Sequence, residues 1–449
     1  MNDTIYALST PPGNGVAVIR ISGTQASFAL QRCFSHKGEY KSHMLYYGNV
    51  MQEDEIIDEG MAVLMRAPKS YTAEDCAEIH CHGSGAVIRR ILAALSAIGL
   101  RAAERGEFTR RAFLNGRLEL SQAEAVMDLI HACASADAKE ALNQLKGSLA
   151  QTVDALQDVL TDAIARIEAG IDYPEEDWEG EIAADVRPLL QHVSAQLYNL
   201  IASSKQGRLL REGTRVAIVG RPNVGKSSLL NALLGARRAI VTDIPGTTRD
   251  VIEEAMDWDG IPVVLMDTAG IREGTDEVER IGVELTHEAM QRADLVLLVF
   301  DGAQPLCELD ELAISAARGL PCMSIISKGD LPQVLCADEL QKRLHMPVVT
   351  VAALQNDGLD KLKTAVREWF DALAPIDAPT AILTNRRHID AMQCAAQALH
   401  DGIESLDRYD LDCSTIDLRR AWSALGEISG VTVDETIIDR IFSKFCLGK

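Results

Sequence analysis

The chain has 449 residues, 47 % of them hydrophobic and 4 % aromatic, and a formal net charge of −22. That length exceeds what a single core organises and points to about two to four domains. The acidic balance excludes broad, charge-driven wrapping of nucleic acid but leaves room for a local basic patch. Ten cysteines without a Cys-x-x-Cys pair read as reduced thiols rather than a disulfide framework. No apolar run approaches the roughly 20 residues of a membrane span. The start, Met-Asn-Asp-Thr-Ile-Tyr, lacks the basic and apolar parts of a secretion signal, so a cytoplasmic location is expected.

Up to about residue 117, short β-rich runs (16–21, 61–65 and 78–81) accompany a helical stretch, 86–98. This is the texture of a small α+β domain. His80-Cys81-His82 resembles a metal site, but neighbouring strand residues face opposite sides. Arg101, Arg105, Arg110, Arg111 and Arg117 outnumber Glu104 and Glu107 in a basic patch. Either a solvated helix face or a ligand contact explains it.

From about 118 the pattern turns helical. Leu142, Leu145, Leu149, Val153, Leu156, Leu160, Ile164, Ile167 and Ile171 recur at spacings of three and four. They predict one face of a single helix about 45 Å long. The acidic run 172–181, interrupted by Pro174, reads as a solvated loop. Residues 381–445 return to the helical period, in Ile416, Trp422, Leu425, Ile428, Ile437, Ile441 and Phe445. Between these stretches, strand candidates at 215–219, 261–266, 295–300, 321–326 and 348–352 alternate with helical segments, the parallel α/β pattern. Pro375 and Pro379 mark its exit. The expected architecture is multidomain α+β and α/β. An N-terminal α+β domain (1–117) precedes an all-α helical domain in two parts (118–210 and 376–449). A Ras-like P-loop domain (211–375) is inserted between those parts.

The inserted segment carries the chemistry. Residues 220–227 read Gly-Arg-Pro-Asn-Val-Gly-Lys-Ser after a strand, a phosphate-binding loop delivered to a helix N-terminus. Asn223, Val224, Gly225, Lys226, Ser227 and Ser228 are therefore candidate nucleotide contacts. Lys226 would reach the β/γ-phosphates, and the Ser227 hydroxyl would ligate Mg²⁺. Asp267-Thr268-Ala269-Gly270 ends the next apolar strand, which places Asp267 to hold Mg²⁺ through water and the Gly270 amide to sense the γ-phosphate. In Ser327-Lys328-Gly-Asp330 the Asp330 carboxylate accepts from both N1–H and N2–H of guanine, a donor pair adenine lacks. The Lys328 stem would cover the base. GTP is thus favoured over ATP. The usual pattern has Asn at Ser327, so its tie to the phosphate loop would be shortened or lost. Ala352-Ala353 stands where a Ser-Ala pair reads guanine O6, leaving the Ala353 amide without a serine hydroxyl. Looser nucleotide affinity is the expected result.

Ras-like enzymes place a water-orienting Gln directly after the Asp-Thr-Ala-Gly glycine, but this chain has Ile271. An arginine finger contributes about 10³–10⁵ in rate elsewhere. Here Asn223 and the segment Thr242-Asp243-Ile244-Pro245-Gly246-Thr247-Thr248-Arg249-Asp250 suggest another device. The Asn223 side-chain oxygen and the carbonyls of Thr242 and Ile244 would cage a monovalent cation, and Thr248 would complete Mg²⁺ binding. Glu279 would orient the attacking water through a second water, although alone it reads as a solvated helix residue. Cys446 reads as a nucleophile or as a small buried anchor of the tail.

Further blocks carry a family resemblance. They are Thr10-Pro-Pro-Gly-Asn-Gly-Val-Ala-Val-Ile-Arg20, Ser70-Tyr-Thr-Ala-Glu-Asp-Cys-Ala-Glu78, Gly106-Glu-Phe-Thr-Arg-Arg-Ala-Phe-Leu-Asn-Gly-Arg117 and the terminal Cys446-Leu-Gly-Lys449. Over essentially its full length the chain resembles the tRNA modification GTPases of the MnmE/TrmE family. The resemblance implies a potassium-activated GTPase whose nucleotide domains pair across a homodimer. It also implies an N-terminal domain that dimerises and binds a one-carbon donor, 5-formyl- or 5,10-methylene-tetrahydrofolate, through Arg20, Glu78, Arg117 and Lys449. By the same match Asn223, Thr242, Ile244 and Thr247 form the K⁺ site, Glu279 is catalytic, and Arg249, Asp250 and Arg272 are tied to activity. A flavoprotein partner of the MnmG/GidA family in a heterotetramer, and wobble uridine 34 of certain tRNAs carrying an aminomethyl or carboxymethylaminomethyl group, follow from it as well. The chain departs from the family at Asn14, Arg105 and Arg117, where Arg, Pro and Lys are usual.

The alternative is a ribosome-assembly GTPase acting as an RNA-binding switch. It would need an RNA-binding module, and the region after 375 has neither a Gly-x-x-Gly clamp nor a basic run. A signalling GTPase would lack the N-terminal block.

Overall fold

The computed structural model describes residues 3–172, 179–235, 255–266, 289–374, 381–408 and 411–448. The chain divides into two compact units, Met1–Met127 with Gly426–Lys449, and Asp128–Leu425.

The first unit is built on a six-stranded sheet of β1 (Ile5–Leu8), β2 (Val16–Ser22), β3 (Leu45–Gln52), β4 (Glu55–Met65), β5 (Cys76–His82) and β6 (Arg101–Ala102), in the order β3-β4-β5-β2-β1-β6. All neighbours are antiparallel except β1 and β6. Ile19, Ile21 and Ile79 bury one face against Leu30 of α1 (Ala26–Cys33) and Ile88, Ile91 and Leu95 of α2 (Gly85–Ala97). Ile5, Ala7 and Phe108 of α3 (Glu107–Leu114) form a second, smaller cluster. Periodicity located β2, β5, α2 and the end of β4. It overlooked β3, whose residues are mostly half-exposed at the sheet edge and lack an alternating apolar signal.

Residues Gly426–Lys449 group with this first unit. Ile438 and Phe442 of α14 (Glu435–Phe442), with Phe445, pack on Leu120, Ala123 and Met127 of α4 (Leu120–His131). Gly106, at φ +68°, admits this approach: a Cβ there would stand 2.6 Å from the Phe442 carbonyl oxygen.

The second unit opens with α5 (Ser135–Leu145), α6 (Ser148–Asp172) and α7 (Glu179–Glu212). The single helix expected over 142–171 is two helices. α5 is capped at Lys146, and Gly147 takes φ +90° before α6 begins. The periodic series crosses the break because Leu149, Val153, Leu156, Leu160 and Ile167 all face the core, whereas Leu142 is 40 % exposed. Spacing alone does not register a one-residue left-handed turn.

A second six-stranded sheet follows, ordered β12-β11-β10-β7-β9-β8. Its strands are β7 (Thr214–Val219), β8 (Ala255–Trp258), β9 (Ile261–Met266), β10 (Leu295–Asp301), β11 (Cys322–Ser327) and β12 (Val348–Thr350). Only β8 runs antiparallel to its neighbour. The helices are α8 (Lys226–Gly235), α9 (Glu308–Ala316), α10 (Ala337–Leu344) and α11 (Leu359–Asp371). Val216, Ile218, Leu297, Val299 and Ile325 face one cluster with Leu229, Leu362 and Phe370. Ala217, Val219, Leu298, Phe300 and Ile326 face another with Ile314 and Leu340. A sheet covered on both faces has near-continuous apolar strands, which is why these were readable. β7 sits where the strand order reverses, and open α/β sheets bind ligands beyond the carboxyl ends of strands at such a point.

Helix α12 (Arg386–Asp407) packs along α7, which also packs on α6. The Gln144 side-chain amide donates to the Ile382 carbonyl (2.9 Å), and Gln157 to that of Trp422 (2.9 Å), on α13 (Leu411–Ser429).

Candidate functional site

The segment joining β7 to α8 is wound tightly at the switch point. Gly220 is required by proximity, since a Cβ there would lie 2.4 Å from the Val299 carbonyl oxygen of β10. Asn223 (φ +61°) and Gly225 (φ +101°) adopt left-handed backbone, the conformation that turns successive amides toward an anion. Val224 between them is fully buried and plugs the loop into the core. Ser227 and Ser228 are exposed in the first turn of α8. There the helix N-terminus adds partial positive charge. Lys226 bridges the loop, its Nζ donating to the carbonyls of Gly220 (2.6 Å) and Arg221 (2.8 Å). Burial lowers its pKa, so an incoming anion would meet an ammonium that is poorly solvated.

β11 brings the second motif alongside. The Ser327 hydroxyl donates to the Val224 carbonyl and lies 2.9 Å from that of Phe300. The tie to the phosphate loop, expected to be shortened or lost, is therefore present. The short side chain suffices because Ser327 packs close to Gly225, with 3.6 Å to the position of a Cβ. Lys328 has φ +57°, and its Nζ lies 2.7 Å from Asp301 Oδ2. Asp330 is exposed. The Gly329 amide donates to the carbonyl of Val351, the residue after β12, which steadies this loop (3.0 Å). Ala352 is buried, its amide donating to the Asp357 carbonyl (3.0 Å), and Ala353 opens the 3-10 turn Ala353–Gln355. Thr242, Asp243, Ile244, Pro245, Gly246, Thr247, Thr248, Arg249, Asp250, Asp267, Thr268, Ala269, Gly270, Arg272, Glu279 and Lys449 lie outside the described residues.

The first unit holds a separate charged array. Arg20 and Glu78 are direct partners across β2 and β5. Arg20 Nε and Nη2 each lie 2.9 Å from Glu78 Oε1, while His80 Nε2 stands 3.2 Å from Oε2. Burial pushes the Glu78 carboxyl up, but His80 and Arg20 outweigh it and hold the group below its ordinary value. The Arg20 guanidinium stacks 4.9 Å from the Tyr71 ring centroid and 5.9 Å from that of Phe108; Arg117 lies 5.1 Å from Tyr71. Arg117 also donates to the Tyr71 carbonyl (2.6 Å). Three of the four residues expected to hold a folate are thus described, and Tyr71 touches two of them. The sequence gives Tyr71 no role, because nothing local says that one ring would meet two guanidinium groups, and His80, part of an apparent metal motif, instead pairs with Glu78.

Of the other four arginines in the basic patch, three are ion-paired and Arg105 is exposed. Arg111 is 1 % exposed and ion-paired with Asp3, Glu74 and Glu107. Arg101 joins Asp3 and Glu107, and Arg110 joins Asp439. The Cys446 side chain is exposed, which corrects the buried-anchor reading; Phe445, 3 % exposed, anchors the tail. In β5, His82 Nδ1 pairs with Asp58 (2.9 Å) and Cys81 is buried. No group of His, Cys, Asp and Glu among the described residues is placed to hold a metal. None of their helices is long and apolar enough to cross a membrane.

Known proteins match both halves of this picture. The family descriptions "GTP-binding protein TrmE N-terminus" and "MnmE helical domain" match residues 4–117 and 120–446. The chain belongs to the MnmE family of tRNA modification GTPases. The MnmE protein of Natranaerobius thermophilus is 43 % identical over 455 residues, covering 100 % of this chain and 99 % of its own. That of Geobacillus kaustophilus is 44 % identical over 458 residues, with the same coverage. Among solved structures, the G domain of the T. maritima FeoB iron transporter aligns with 35 % of this chain and 98 % of its own, at 29 % identity. The TM-score of that alignment is 0.28. MnmE relatives therefore match the whole chain, not the nucleotide segment alone.

Proposed function

We propose that this chain hydrolyses GTP to drive modification of C5 of wobble uridine 34 in certain tRNAs. The observation that carries this reading is the loop from Gly220 to Ser227, wound over Val224 and tied by Ser327 to the guanine-reading motif. Lys226 would leave the Gly220 and Arg221 carbonyls for the β/γ-phosphates, and Asp330 would select guanine. Ser227, with Thr248, would hold Mg²⁺, and the exposed Ser227 hydroxyl suits that hard cation. Asn223, exposed at the apex of the loop, offers an amide oxygen to K⁺ together with Thr242, Ile244 and Thr247. A potassium ion held there would supply the positive charge that an arginine finger supplies elsewhere. Glu279 would orient the attacking water, and Arg249, Asp250 and Arg272 match positions tied to activity. Full-length chain should hydrolyse GTP faster in K⁺ than in Na⁺ at equal ionic strength. Equal rates would remove the cation from the mechanism.

The array in the first unit suits 5-formyl- or 5,10-methylene-tetrahydrofolate. Glu78 would accept from the pterin edge beside Arg20, while Arg117 and Lys449 would meet glutamate carboxylates. Cys446, exposed near that tail, is retained as a candidate nucleophile. The nucleotide domain is inserted in the helical domain, a reading supported by the packing of α12 on α7 and the Gln144–Ile382 bond. In a homodimer, paired nucleotide domains would then lever the flanking helices. A flavoprotein of the MnmG/GidA family completes the active heterotetramer in the cytoplasm. Nucleoside analysis of tRNA from cells without this chain should show unmodified wobble uridine where 5-aminomethyl or carboxymethylaminomethyl groups are otherwise present.

A further inference from the structure

Asp301 closes β10 and is the register partner of Ser327 on β11, one residue before the guanine-reading loop. It is 3 % exposed, a costly place for a carboxylate unless it is paired. Its two oxygens have separate partners. Oδ1 accepts from the Ala303 amide (3.1 Å), and Oδ2 lies 2.7 Å from Lys328 Nζ. Burial pushes the carboxyl up, yet Lys328 and the Ala303 amide outweigh it, and the group stays below its ordinary value. Lys328 has a left-handed backbone, and its carbonyl accepts from the Leu331 amide (3.0 Å) and from the Gln333 side-chain amide (2.9 Å). Both ends of this lysine are consequently held: the backbone by its own loop, the ammonium by a buried charge on the neighbouring strand. A free lysine side chain carries considerable rotamer entropy; this one has surrendered much of it before any nucleotide arrives.

The same corner reaches the phosphate side. The Gln304 amide donates to the Asp301 carbonyl (3.2 Å), and Gln304 Oε1 accepts from Arg221 Nη2 of the phosphate loop (2.8 Å). Arg221 Nε also stands 3.3 Å from Asp310 Oδ2 on α9.

We infer that Asp301 is a positioning residue for guanine nucleotides: it fixes Lys328 as a preformed shelf under the base and so sets affinity, while Asp330 sets base choice. The inference deepens the GTP reading and rests on it. An ordered lysine stem costs little to bind against, whereas one released by loss of Asp301 must be ordered by the nucleotide itself. Asp301 acts through Lys328, so removing either should cost about the same, and removing both should cost little more.

The test uses full-length chain and stopped-flow release of fluorescent GDP, GTP and XDP. Asp301→Asn keeps the shape and still accepts from Ala303. It should release GDP and GTP about tenfold faster, as expected for a lost charged hydrogen bond, with the preference for guanine over xanthine unchanged. Lys328→Met, at a partly exposed position, reads the pair from the cationic side and should give a similar loss. The double variant should resemble either single one. Unchanged release from Asp301→Asn or Lys328→Met, additive effects, or an altered base preference would each overturn the inference. Wild-type chain that fails to bind GDP or GTP would instead overturn the GTP reading itself.

Discussion

The two sheets bring charge together in different ways. In the first unit Arg20 meets Glu78 because β2 and β5 run antiparallel in one register, although 58 positions separate them. A one-residue slip of either strand would leave the two side chains on opposite faces of the sheet. In the second unit the strands are parallel, and the functional residues lie in loops past their carboxyl ends. Residues 220–227 follow β7, 327–330 close β11, and 352–353 follow β12. A parallel sheet therefore keeps each motif contiguous in sequence, whereas an antiparallel one scatters its site among strands.

This contrast can be broken from either side. The largest effect is expected in the first unit, where Arg111 is the buried centre of a network that includes Asp3, Glu74 and Glu107. Arg111→Met strands buried carboxylate charge and should cost about 3–5 kcal/mol, read as a lower midpoint in urea. Burial raises the Glu107 carboxyl, but Arg101, the Glu104 amide and Arg111 lower it further. A carboxyl lowered in the folded state stabilises above its ordinary pKa, and that contribution should fade as pH falls through its lower native value.

In the second unit, Lys226→Met should reduce GTP turnover by about 10²–10³ while leaving thermal stability unchanged or slightly raised. Burial already disfavours this ammonium, so its removal costs the fold little. A large loss of stability would mean that its bonds to Gly220 and Arg221 hold the loop together.

A third change concerns a carboxyl near neither array. Asp137, at the start of α5, is 8 % exposed, and burial pushes its pKa up to about 6, with Asp128 adding to the push and the Cys133 amide and Arg211 opposing it. The folded chain then binds that proton more tightly than the unfolded chain. Its stabilising contribution is full below the ordinary value and is lost as pH rises through about 6. Asp137→Asn should accordingly raise stability by roughly 1–2 kcal/mol at pH 7.5 and by nothing at pH 4, measured by urea denaturation. The smallest effect is expected for Ser327→Ala, which removes the tie to Val224. It should weaken GDP binding by about 1 kcal/mol, read by calorimetry. No loss would show that main-chain packing alone holds the two loops together.

The nucleotide site was legible because its parts are short words: the run from Gly220 to Ser227, and Ser327 to Asp330. Even there, the reading of Ser327 as a weakened contact failed, since reach depends on how closely β11 approaches Gly225. Asp301 was visible only as the flank of an apolar run, and its partner lies 27 positions on. The helix read over 142–171 failed at Gly147, where one backbone angle outweighs nine well-spaced apolar residues.

Local spacing by itself determined the phosphate loop, the strands buried on both faces, the helical stretches and the preference for guanine, because each depends on residues within one turn or one strand of each other. Tertiary structure alone decided that Arg111 is a buried ion-pair centre rather than a surface charge, that Tyr71 stacks on Arg20 and Arg117, and that the C-terminal helix α14 packs on α4. Those outcomes depend on register and on contacts between distant segments. Only the folded chain pays the desolvation that makes a charge choose its partner.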